Sequence, residues 1–181
     1  MAVTEDARFL TLGPELAARI QARDFILLSY MALAGTLLSA SLTKGDQTEL
    51  ALAIPYIGLA TSLITTHHDL IISIIADFMR ELSKDSPGLR WHHDPAFLAR
   101  GKSYRTIRHL GAGFFMIFTV ASSLFVNHEH MARGHAKTFL PCLIWWGGLV
   151  SGFAILGVMI ITWGIRNEKP FARRIWKTVD A

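Results

Sequence analysis

The chain has 181 residues, 51% of them hydrophobic and only 18% charged, with a net charge of +4. Soluble domains carry about 25% charged residues; here the shortfall falls in four windows almost free of charge, which excludes an ordinary soluble domain. The basic residues flank those windows instead of forming a separate basic surface, which favours a membrane and argues against nucleic acid as a partner.

The first 24 residues contain Glu5, Asp6, Glu15 and Asp24 and no apolar stretch. They do not read as a cleaved signal peptide, so the first span is expected to stay as an anchor. Gly13-Pro14 precedes Glu15 to Arg23, where Leu16 and Ile20 share a face. With Pro14 at a first helical position, this predicts a short interfacial helix.

A bilayer core of about 30 Å takes roughly 20 apolar residues in a helix. Four segments qualify: Phe25 to Leu42; Leu50 to Ala76, extended on the cytoplasmic side to Leu82; Leu110 to Val126, within a helix over about 107–127; and Phe139 to Ile165. Between them lie a tight outer hairpin from Lys44 to Glu49, a cytoplasmic loop over 83–103 broken by Pro87-Gly88 and Pro95, and a polar outer loop from Asn127 to Thr138. A basic tail, 166–181, follows, with Pro170 ending the fourth helix. Placing both termini inside puts fifteen Lys and Arg on the cytoplasmic side and leaves Lys44, Arg133 and Lys137 outside. The positive-inside rule selects that orientation. The expected fold is all-α: one polytopic domain, a four-transmembrane-helix bundle with cytoplasmic N and C termini, in a bacterial cytoplasmic membrane.

The second span carries the chemistry. Gly58, Ser62, Thr66, Asp69, Ser73, Asp77 and Arg80 recur every three or four residues and so share one helix face, opposite Leu63, Ile64, Ile71 and Ile74. A polar face in a bilayer turns to protein or to water. It serves either helix packing through satisfied hydroxyls or a conduction path in an oligomer. His67, His68 and Asp69 are the only titratable residues within a span, near its cytoplasmic end. They read as a gate or sensor, or as a polar anchor at the helix exit. Asp69 is expected to pair with a histidine or with an arginine of the following loop.

His92, His93 and Asp94 repeat the motif in that loop, and His109 opens the third span on the same side. Imidazoles and carboxylates suit zinc, copper, nickel or iron, so His67, His68, His92, His93 and His109 are candidate metal or haem ligands, drawn from different segments. The identity of any cofactor stays open. The outer loop adds His128, His130 and His135, which read as solvated or as a weak metal or proton-sensing group.

In the fourth span, Gly148 and Gly152 form a GxxxG, and Gly147 with Ser151 a second small pair at the same spacing; Gly35 and Ser39 match them in the first span. Small residues let helices approach closely, within one bundle or between subunits. The lone Cys142 lies in an apolar run as a packing residue. No phosphate-binding loop, zinc-protease helix, nucleophile elbow or dinucleotide fingerprint occurs.

In size, in its layout with both termini inside, and in the charged exit from His67-His68-Asp69 to Arg80-Glu81, the chain resembles small four-span bacterial proteins that act as membrane components of antiviral systems. That resemblance implies a compact bundle that assembles and perturbs the membrane, and it transfers no residue role. The expected function is that of a non-enzymatic protein working as a homo-oligomer. It would be either a channel-like effector or the membrane subunit of a larger complex, with 83–103 docking a cytoplasmic protein. A haem- or metal-binding redox protein and a pH-responsive transporter or regulator are the alternatives.

Overall fold

A computed structural model describes residues 5–43, 45–82, 95–131 and 139–167. These residues are helical throughout, apart from a turn at Asn127: α1 Glu5–Thr43, η1 (a 3-10 helix) Gly45–Ala53, α2 Ile54–Leu82, α3 Pro95–Val126, η2 (also 3-10) His128–Met131 and α4 Phe139–Asn167. Four stretches are long and apolar enough to cross a membrane: Leu10–Thr43, Glu49–Arg80, His109–Val126 and Phe139–Gly164.

Three boundaries differ from the sequence reading. The separate interfacial helix and the first span are one continuous α1, with Pro14 inside it. Proline forfeits one backbone bond and crowds the carbonyl four residues earlier, but the flanking helix-forming residues carry the helix through. At the other boundary, Pro95 does not break the cytoplasmic loop; it opens α3, where its missing N–H has no partner to lose. The helix therefore takes in the last part of 83–103, and the earlier part, 83–94, lies outside the described residues. Finally, the apolar run from Leu50 starts in η1, and α2 begins only at Ile54.

The second helix is the centre of the bundle. It packs on α1, α3 and α4, whereas α1 rests mainly on α2 and η1 and has no substantial contact with α4. Burial follows: 44% of an 18-residue apolar stretch of the α2 span is buried, against 17% of the corresponding stretch of the α1 span. The core joins Tyr30 and Ala34 of α1, Ile54 of α2, Met116, Val120 and Leu124 of α3, and Trp145 and Ile155 of α4, with Ala51 and Leu52 of η1 closing one end. That end is tied by hydrogen bonds: Ser123 Oγ donates to the Ala51 carbonyl, Trp145 Nε1 to Leu124 O at 2.9 Å, and Tyr56 Oη to Ile144 O at 2.7 Å.

The small residues of α4 are consumed inside the bundle. A Cβ on Gly148 would meet Pro55 and Leu124 at 3.1 Å, one on Gly152 would meet Val120 at 3.2 Å, and Gly147 lies against the Tyr56 hydroxyl. Ser151 is buried and donates to Gly147 O. In α1, Gly35 and Ser39 are exposed, and a Cβ on Gly35 would meet nothing within 4 Å.

Candidate functional site: a buried charge pair between the first two helices

The 3.6-residue period of α2 turns Thr61, Ser62 and Asp69 into the bundle and leaves Leu63, Ile64 and Ile74 on the outside. Thr66 and Ser73 are half-buried, as are Asp77 and Arg80, which pair at 3.0 Å. Two hydroxyls of α2 are bonded along their own helix: Thr65 Oγ1 donates to Thr61 O at 2.8 Å and Ser73 Oγ to Asp69 O at 2.9 Å. At Gly58 the face is closed, since a Cβ there would lie 3.1 Å from Tyr30 Oη and 3.4 Å from Ile155 Cδ1.

Asp69 is 7% exposed, and its partner comes from α1: Arg23 Nη1 donates to Asp69 Oδ1 at 2.8 Å. The sequence reading looked to a histidine or an arginine of the following loop and did not include this partner on α1. The Arg23 side chain is 3% exposed and also donates to Asp24 Oδ1, from Nη2 at 2.7 Å and Nε at 2.9 Å. One guanidinium thus bridges two carboxylates, Asp69 across the helix interface and the half-exposed Asp24 on its own helix. A buried cation needs a counter-charge and satisfied donors, and the fork geometry of arginine supplies several donors from one group.

Seven residues further along α1, about 10 Å, Tyr30 makes a second tie. Its hydroxyl lies 2.7 Å from Thr119 Oγ1 of α3. The Thr119 hydroxyl also lies within hydrogen-bond distance of Met116 O and Phe115 O on its own helix. Tyr30 also meets the Phe115 ring edge-on at a centroid distance of 6.2 Å.

The histidines sit around this site without converging. His67 is exposed and His68 half-buried, with their rings edge-on at 6.0 Å; His68 Nδ1 is buried and has no hydrogen-bond partner among the described residues. His109 stacks on Trp163 of α4 at 6.3 Å. His92 and His93 lie outside the described residues. Among the described residues, no three metal-ligating side chains come together. At the opposite end His128 Nδ1 lies 2.9 Å from Phe125 O and the ring stacks on Phe125, in 3-10 geometry and not in an extended strand.

Sequence reasoning singled out Asp69 but missed Arg23, Tyr30 and Thr119. A usable signal existed for Tyr30, the one phenol in the first span. For Arg23 the signal was its place as the last cation before that span. Comparison with family models, curated proteins and solved structures gives no match.

Proposed function

We propose that the protein is an integral membrane protein of the bacterial cytoplasmic membrane, with both termini cytoplasmic, that acts without catalysis as a subunit of an assembly of its own copies. The observation that carries this reading is the outward face of α1. Phe25, Leu28, Ala32, Gly35, Ser39 and Leu42 are all exposed and recur at alternating intervals of three and four. That spacing is a helix-packing seam, large at both ends and small in the middle. In α4 the same kind of small-residue face is filled by side chains of α2 and α3; in α1 it is open. Against lipid, small residues give up packing contacts; against a second helix they allow close approach.

The closed packing at Gly58 supports a further step. There the polar face of α2 is closed by Tyr30 and Ile155, so we place a channel-like activity in a passage between copies.

Single cysteines test this in a Cys142→Ser background. Gly35→Cys and Ser39→Cys are expected to form disulfide-linked dimers in native membranes under mild oxidation, and Leu63→Cys, exposed on α2, is not. Equal cross-linking at all three positions, or none, overturns the reading. Ion flux from liposomes holding the cross-linked dimer then separates a channel-like effector from a silent subunit of a larger complex.

A further inference from the structure

We propose that α1 is a releasable helix and that the Arg23–Asp69 pair is the latch holding its cytoplasmic half against α2. The inference depends on membrane insertion but not on assembly between copies. In a bilayer, lipid is as apolar as leucine, so no hydrophobic force presses one helix onto another; packing and polar ties hold them together. The α1 span is the least buried of the four. It is tied across the interface by Arg23–Asp69 at one end and Tyr30–Thr119 about 10 Å further on.

These ties are unequal. Tyr30 is packed between Gly58 and Phe115, deep in the core, and makes a natural pivot. Arg23 is as buried as Tyr30 but carries a replacement partner on its own helix: Asp24 takes two of its donors already. When α1 parts from α2, the guanidinium leaves with a carboxylate still bound, so opening does not strand a buried cation. That lowers the cost of the open state and gives the interface two usable arrangements, as a switch requires. Beyond the latch, α1 continues as helix from Ala22 back to Glu5. Those eighteen residues form a lever of about 27 Å, on which a cytoplasmic protein can act.

Double spin labelling of the full chain in lipid nanodiscs, in the Cys142→Ser background, reads the motion directly. Labels at Gln21→Cys and Ile74→Cys, both exposed, report the latch end; labels at Thr43→Cys and Ala53→Cys, also exposed, report the far end. Asp69→Asn is expected to lengthen the Gln21–Ile74 distance by about 5 Å, the result of a bend of about 20° in α1 at Tyr30 that moves only its cytoplasmic half, and to leave Thr43–Ala53 unchanged. Asp69→Glu, which keeps the charge, stays closed. Arg23→Gln breaks the same tie from the other side and gives an independent reading if Asp69→Asn fails to fold. An unchanged Gln21–Ile74 distance in both neutral variants, or an equal shift at both ends, overturns the latch.

Discussion

At the scale of single residues, the balance of forces at Asp69 differs from that at Tyr30. Removing one member of a buried ion pair leaves the other uncompensated, which costs about 3–5 kcal/mol. Asp24 shares the Arg23 charge, so Asp69→Ala is expected at the lower end, about 3 kcal/mol, read as a lower melting temperature in detergent. Asp24→Ala removes a half-exposed partner and is expected to cost about 1 kcal/mol or less. If the two variants melt alike, Asp69 is not the partner that matters. Tyr30→Phe deletes one hydrogen bond and keeps the ring on Phe115; interhelical bonds of this kind contribute about 0.6 kcal/mol on average, so the shift should be small. The partner of Asp69 was illegible in the sequence for a definite reason. Spacing along a helix gives depth and azimuth within that helix. It does not say which neighbour lies across the interface, and Arg23 is 46 positions away in the chain.

At the scale of helices, the same small-residue motif has two fates. On α4, glycines at 147, 148 and 152 admit Tyr56, Pro55, Leu124 and Val120. A Leu at Gly148 must displace Pro55, whose ring cannot swing away. Overpacking of this sort costs typically 1–3 kcal/mol, and Gly148→Leu should lower the melting temperature of the monomer in detergent. Gly35→Leu meets open space and should leave the monomer unchanged while abolishing the α1 cross-links; a Gly35 variant that melts early would place that residue inside the fold instead. The number and rough position of the helices were readable from hydropathy, because a span needs a long apolar run whatever it packs against. Their full extents were not. Residues 5–24 and 95–108 mix charge with apolar residues, so the helix continues where the apolar signal has stopped. The contrast between Gly35 and Gly148 was equally hidden, since both open a pair of small residues four apart and the packing of neighbours separates them.

At the scale of the whole molecule, the direction of the bundle is the property on which the latch and its lever depend. Fifteen basic residues lie at the ends and loops assigned to the cytoplasm and three at the other side. The bias counts because it is carried by short segments close to the spans. The two faces also differ in chemistry. The face assigned to the cytoplasm holds Arg23–Asp69 and Asp77–Arg80, charged groups that tolerate the inner interface. The opposite face is tied by neutral bonds, Ser123 to Ala51, Trp145 to Leu124 and Tyr56 to Ile144. Impermeant maleimide on intact spheroplasts separates the two orientations in the Cys142→Ser background. Glu129→Cys, exposed in η2, should label to near completion without lysis. Gln21→Cys, exposed on α1, should label only after the membrane is opened. The reverse pattern would put the α1 lever outside the cell, beyond reach of any cytoplasmic partner, and equal labelling of both before lysis would mean that the chain is not inserted in a single direction. Adding three lysines to η2 should shift part of the population toward the inverted pattern, because the orientation is set by the difference between the two sides and not by any one residue.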